Sequence, residues 1–254
     1  MELNKFNPLN YINNLPQIRE RLEYEEGTYY KFVALVRAKD FKDGKTPILN
    51  INERGEIFVR QWFIDSDETF VKYCSDMVNL CIATKARLYY TVDRKSTKKT
   101  VLAMKKQLDT YIDLLVYNPN TPLPTHKLSK FSASASQLKE CSDGKKYWLI
   151  DIDGGSTIPS YNYCCISEGI SFALMSILYP DSKSYVNITP NGLHLLVERT
   201  FDLPSKLDKF LQTGNLDQHI SKEKANSSRE VLLRFKDKYE IKENAMSLAF
   251  MEIK

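Results

Sequence analysis

The stretch Trp148-Leu149-Ile150-Asp151-Ile152-Asp153 constrains this chain more than any other: an apolar run ends on two carboxylates one residue apart and then turns through Gly154 and Gly155. An extended chain sends successive side chains to opposite faces, so Asp151 and Asp153 share one face while Ile152 enters a core on the other. Neighbouring carboxylates repel unless a cation sits between them, and hard oxygen donors of this kind suit Mg²⁺ or Mn²⁺ holding phosphates. Asp-x-Asp before a glycine turn is also ordinary turn chemistry, so on this stretch alone a metal site and a plain turn stand as equal alternatives.

The residues beyond the glycine turn favour the metal. The pattern predicts a helix from Ile166 to Tyr179, after Cys164-Cys165, and then two short apolar runs flanking Asn191-Gly192 within Tyr185–Val197. Asn-Gly between such runs is a hairpin signal. His194 is thereby expected just after the turn, at the start of a strand beside or near the carboxylate strand.

Leu-Ile-Asp-Ile-Asp at 149–153, with Asn-Gly-Leu-His some forty residues later at 191–194, resembles the first two motifs of the archaeo-eukaryotic primase superfamily. Those motifs are hydrophobic residues leading to Asp-hydrophobic-Asp, then small-x-His at a strand start. The resemblance covers residues 145 to 200, and the intervening helix completes the β-α-β-β core of an RRM-like palm. It implies an α/β (α+β) fold of two lobes, an N-terminal α/β unit packed on a C-terminal RRM-like palm. The implied divisions are 1–116 for the first lobe, 117–146 for a linker or loop and 147–254 for the palm. The implied activity is template-dependent nucleotidyl transfer of the primase-polymerase kind, with two metal ions activating a 3′ hydroxyl and neutralising the leaving pyrophosphate. On this resemblance Asp151 and Asp153 bind Mg²⁺ or Mn²⁺. His194 contacts the phosphates of the incoming nucleotide, with Asn191 beside it and Gly192 allowing close backbone approach. The third motif, a hydrophobic residue and Asp, has two equal candidates for the remaining metal ligand: Asp217, in a polar stretch, and Glu243, just before the apolar run 247–253. Glu198 is a third. Without such a carboxylate the protein would be an inactive nucleic-acid-binding relative.

Other uses of the Asp pair fit less well. Haloacid-dehalogenase phosphatases expect Thr after Asp-x-Asp-Gly and a later acidic pair, whereas Gly155 stands there in this chain and no Asp-Asp pair comes after it. A glycosyltransferase Asp-x-Asp leaves His194 unexplained, and rolling-circle initiators need a His-hydrophobic-His that His126, His194 and His219 do not form. A metal-dependent nuclease or phosphohydrolase would use the same pair with water as nucleophile.

The net charge of +4 is modest, but Lys85 to Lys106 carries eight Lys or Arg against the single acid Asp93. Within it 86–92 alternates as a strand with Arg87 and Tyr89 on one face. With Arg94, Lys98 and Lys99 this is a candidate platform for nucleic-acid phosphates and bases, though a charge run is more often a solvated face. Strands are expected over Tyr29–Arg37 and Ile57–Phe63, helices over Ser66–Ala83 and Thr97–Val116, with Arg37, Lys39 and Arg60 as candidates for the cleft between lobes. Residues 212–229 read as a flexible loop near the cleft.

At 254 residues and 43% hydrophobic content the chain can bury a large core. Five cysteines without a Cys-x-x-Cys pair suggest reduced thiols. No apolar run is long enough to span a membrane and the N-terminus lacks the apolar segment of a signal peptide, so the expected location is cytoplasmic and no membrane partner is expected. The expected partners are a single-stranded template and nucleoside triphosphates. No Gly-x-x-x-x-Gly-Lys loop occurs, so unwinding would come from a helicase in trans. The Lys-, Asn- and Ser-rich character is reminiscent of phage or plasmid replication genes.

Overall fold

The computed structural model describes residues 10–37, 40, 55–118, 134–154, 166–177, 183–214 and 220–253. In chain order the first half supplies β1 (Tyr11–Asn13), α1 (Leu15–Arg21), β2 (Thr28–Arg37), β3 (Glu56–Ile64), α2 (Asp67–Thr84), β4 (Arg87–Thr91), β5 (Lys95–Ser96) and α3 (Thr97–Tyr117). The second half supplies β6 (Tyr147–Asp153), α4 (Ile166–Ile177), β7 (Ser184–Thr189), β8 (Gly192–Glu198), α5 (Leu203–Thr213), α6 (Lys222–Arg234), β9 (Tyr239–Glu243) and β10 (Met246–Glu252). The molecule is thus mixed α+β, with two antiparallel sheets.

The first sheet runs β1-β10-β4-β2-β3, with β5 paired to the start of β2. Helix α2 begins where Ser66 accepts a hydrogen bond from the Thr69 amide at 3.1 Å, with Asp67 and Glu68 in the first turn, so cap and dipole agree on the start. Phe70, Cys74, Met77, Val78 and Cys81 recur at helical spacing and meet Phe32, Leu88, Tyr90 and Phe250 of the sheet in one buried core. Burial pushes the Cys81 thiol up to about 12, as expected of an inert core cysteine.

The second sheet has the order β7-β8-β6-β9, every neighbouring pair antiparallel. Its chain order β-α-β-β-α-α-β is a split β-α-β arrangement with an added helix. On one face Trp148, Ile150 and Ile152 pack against Ile170, Leu174, Leu207, Phe210 and Leu232 of the helices. On the other face Tyr147 and Leu149 join Leu196 against Val92 and the loop residue Ala245. The two faces of β6 therefore do different work: one seals the helical core, and the other first seals the contact between the sheets and then, at Asp151 and Asp153, opens into a cleft.

Four expectations need correction. The C-terminal apolar run does not join the palm; β10 inserts between β1 and β4 of the first sheet, because Leu248, Ala249 and Phe250 complete the core there. The stretch expected as a loop over 212–229 instead contains the end of α5 and most of α6, which Ser221 caps by accepting from the Lys224 amide at 3.3 Å. The sparse apolar stripe Ala225, Val231 and Leu232 is enough to hold α6 on the core of the second sheet. The hairpin turn is centred on Pro190-Asn191, so Gly192 is the first strand residue, opposite Thr189. Residues 134–142, expected as part of a linker, pack as an extension of the first lobe, with Ala135 and Cys141 buried against Ala103 of α3; much of the remaining expected linker lies outside the described residues. Among the described residues no helix is long and apolar enough to cross a membrane.

Phe250, on β10 between the edge strand β1 and β4, is fully buried and stacks on Tyr11 with ring centroids 5.6 Å apart. Phe250→Ala should cost about 3–5 kcal/mol, measured by urea unfolding, through loss of packing in the core of the first sheet.

Candidate functional site

Strand register builds the site. Asp151 on β6 lies directly opposite His194 on β8, and opposite Glu240 on β9 at its other side. Asn187 on β7 lies opposite His194, so Asn187, His194, Asp151 and Glu240 form one row across four strands. Residues so paired have Cβ atoms about 4.5–5.5 Å apart. Asp153, two residues along β6, lies on the same face and is exposed.

Within the row the side chains are engaged. His194 Nε2 is 3.3 Å from Asp151 Oδ1, and Lys242 Nζ donates to Asp151 Oδ2 at 2.7 Å. The same ammonium lies 2.9 Å from Glu240 Oε2, so one cation bridges two carboxylates on adjacent strands. The hydrogen bond from His194, opposed by burial and reinforced by Lys242, holds the Asp151 carboxyl far below the usual carboxylate range. Burial works against the charge on Lys242, but its bonds to Asp151 and Glu240 outweigh it and raise its pKa.

Asp151 and His194 of the row line one wall of a cleft of about 610 Å³, whereas Asn187 is buried behind it and Glu240 stands beside it. Asp151, Asp153, His194, Asn191 and Lys242 line it from the second sheet, and Arg37, Arg87 and Tyr89 line it from the first. Arg87 is clamped by Asp40 through bonds of 2.8 and 2.5 Å, and Arg37 is 3.7 Å from Glu56 and 3.4 Å from the Tyr89 hydroxyl. Leu35, Leu149, Met246 and Leu248 give the cleft an apolar wall beside this polar one.

The structure therefore brings together Asp151, Asp153, His194, Asn191, Arg37, Arg87 and Tyr89 of the residues expected in the site or its cleft. Other candidates stand elsewhere. Glu243 alternates to the opposite face of β9, where it pairs with Arg199 at 3.1 Å and with Lys139. Glu198 sits at the far end of β8, opposite Tyr147. Asp217 lies outside the described residues, as do Lys39, Cys164 and Cys165. Gly192 permits a close approach, but to the protein's own backbone: a Cβ there would lie 1.9 Å from the Ile152 carbonyl oxygen.

The basic platform splits. Arg94 is buried and tied to Glu25 at 2.6 Å, a structural pair. Lys99 reaches Asp143 at 2.8 Å, and Lys98 is exposed at the start of α3. Both lie beside the beginning of β2, while Arg37 ends it, about 30 Å away at the rise of an extended chain. Arg60 turns to Asp76 of α2 and takes no part in the cleft.

Sequence reasoning misses Glu240 and Lys242. Their signal is present: Tyr239, Ile241 and Glu243 alternate with them, and placing the Ile inward puts Glu240 and Lys242 on the Asp151 face.

Comparison of the chain with protein-family models, with curated proteins and with solved structures finds no match. A functional reading rests on the cleft itself and on the motif resemblance.

One chemistry is excluded by burial. Asp151, His194 and Ser247 stand in line as in a hydrolase triad, with His194 Nδ1 2.9 Å from Ser247 Oγ. Ser247 is wholly buried, however, so its oxygen cannot reach a substrate carbonyl. The acidic set does suit a hard cation. Mg²⁺ binds through one or two carboxylates and completes its shell with water and phosphate oxygens, and Asp151, Asp153 and Glu240 offer oxygens alone. Among the described residues no group of three or more His, Cys, Asp or Glu is already gathered around a metal-sized space.

This geometry is open to two stability tests. Gly192→Ala must separate β8 from β6 and should cost at least about 1–3 kcal/mol in a denaturant melt. The depressed Asp151 pKa contributes stability above the unfolded value of about 3.9, and that contribution is lost as pH falls below it. The stability difference between the native protein and Asp151→Asn should therefore be largest near neutrality and shrink below about pH 4, read as urea midpoints at each pH.

Proposed function

We propose that the cleft is the active site of a primase-like nucleotidyltransferase that joins nucleoside triphosphates on a single-stranded nucleic-acid template. The observation that carries this reading is the juxtaposition of Asp151, Asp153 and His194 on one sheet face, opposite Arg37 and Arg87 across a single cleft. Asp151 and Asp153 would hold Mg²⁺ or Mn²⁺, with Glu240 in place of Glu243, or Asp217, as the third carboxylate. The ions supply charge neutralisation on the phosphates and a more acidic 3′ hydroxyl.

The chain's own groups do the rest. His194, held by Ser247 behind it, directs Nε2 toward the Asp151 side of the cleft, where it would donate to a phosphate oxygen. Arg37 and Arg87 would add positive charge from the facing wall, and their carboxylate partners limit how far they move. Lys242, released from Asp151 by a metal, would remain within reach of the same anionic oxygens. The partly exposed Leu35 and Met246 would offer the base and sugar an apolar surface. The template would track exposed basic side chains such as Lys98, and a helicase in trans would supply unwinding.

A second reading is favoured by the engagement of Asp151 by both His194 and Lys242: a relative that binds nucleotide or nucleic acid without turning it over. Labelled nucleotides, single-stranded DNA or RNA and Mn²⁺ or Mg²⁺ separate the readings. Metal-dependent oligomers that fall at least about 100-fold in Asp151→Asn/Asp153→Asn are expected, since such a loss is the scale for removing charge stabilisation in a transition state. Shortened nucleic acid or freed phosphate would indicate a nuclease or phosphohydrolase, and bound but unchanged nucleotide would indicate the inactive relative.

A further inference from the structure

Ser247 reaches His194 from outside the palm. It lies on β10, in the first sheet, is fully buried, and places Oγ 2.9 Å from His194 Nδ1. The buried Asn187 donates through Nδ2 to the same Oγ at 2.8 Å and to the Tyr90 hydroxyl at 3.0 Å.

A serine hydroxyl has one hydrogen to give and two lone pairs. Among the described residues the Ser247 hydroxyl has two partners, Asn187 and His194. Asn187 donates into it, so its own hydrogen has one acceptor to meet, the Nδ1 lone pair of His194. Were Nδ1 to carry a hydrogen, both neighbours would donate to Ser247 and the hydroxyl hydrogen would be left buried without an acceptor, which protein interiors avoid. The hydrogen on the imidazole then belongs on Nε2, the atom 3.3 Å from Asp151 Oδ1. There it meets an acceptor.

We propose that Ser247 and Asn187 fix His194 as the neutral Nε2–H tautomer, so that His194 faces the cleft as a hydrogen-bond donor and not as a base. Ser247 is a positioning residue: it touches neither cleft nor ligand and acts through the ring. The tautomer deepens the nucleotidyltransferase reading, and rests on that reading only for the phosphate oxygen that the Nε2–H would meet. It also makes the chemistry at His194 depend on the first lobe, because the residue that orients the ring belongs to a strand of the other sheet.

Nitrogen-15 NMR of ring-labelled histidine in the free protein tests this, at about pH 8, above the ordinary imidazole range. His194→Gln assigns the His194 signals against those of His126 and His219. The native protein should show His194 with a pyridine-type Nδ1 and a protonated Nε2. Ser247→Thr, which keeps the hydroxyl, should retain that pattern, and Ser247→Ala should move it toward a mixture. An Nδ1–H tautomer, an averaged mixture or an imidazolium in the native protein would overturn the proposal without recourse to any variant. An unchanged tautomer in folded Ser247→Ala would remove Ser247 from the role. Nucleotide is absent from the sample, so failure of the nucleotidyltransferase reading would leave this spectrum as it is.

Discussion

A buried polar seam between the two sheets sets the geometry of everything else. Asn14, at the start of α1, donates to the carbonyls of Ile188 in the second sheet and Leu248 in the first, both at 2.9 Å, and accepts from the Ile188 amide at 3.0 Å. Asn187 and Ser247 make a second crossing. Arg21 makes a third, its guanidinium 5.0 to 5.9 Å from the rings of Tyr90, Tyr147 and Tyr185 and bonded to the Val92 carbonyl. Apolar contact is tolerant of sliding, whereas buried hydrogen bonds are satisfied in one arrangement and costly in others. The seam therefore fixes how far the Arg37 and Arg87 wall stands from the Asp151 wall, and with it the width of the cleft.

The return of β10 to the first sheet is what makes such a seam available. The last strand of the second sheet, β9, lies beside β6 and carries Glu240 and Lys242; a short turn later the chain has crossed to the other sheet and carries Ser247. One short segment thus supplies a carboxylate and a cation from one side of the cleft and the residue that orients His194 from the other. Around Asp151 this yields a carboxylate kept ionised by two hydrogen-bonded neighbours, with Lys242 standing as counter-ion between it and Glu240. Two facing carboxylates without that ammonium would repel, so Lys242 offsets the negative charge that Asp151 and Glu240 bring together.

The elements with strong period are legible in the sequence: β2, α2, β4, α3, β6 and the β7–β8 hairpin lie close to where alternation and capping place them. The face shared by Asp151 and Asp153, and the arrival of His194 beside them, come from period-two geometry and the hairpin signal. The errors have physical causes. The two sheets compete for the same C-terminal residues, and only the unfilled core around Phe32 and Leu88 decides that 246–252 belongs to the first sheet. Helix α6 has a polar sequence, so tertiary packing of a few apolar residues overrides its loop-like composition. Glu243 draws attention because it precedes an apolar run, while the alternation of Ile241 points to Glu240. Arg94 lies in a basic run yet is buried against Glu25, a pairing distant in sequence that no local pattern reveals.

On the proposed function, Asp151 and Asp153 hold a divalent cation that a nucleotide helps to ligate. Titration of Mn²⁺ into the protein, monitored as loss of the free-ion electron paramagnetic resonance signal with and without a nucleoside triphosphate, tests it most directly. The expected result is saturable binding that tightens when triphosphate is present and disappears in Asp151→Asn/Asp153→Asn. Binding that is equal in native and doubly substituted protein, or no binding in either, would contradict it.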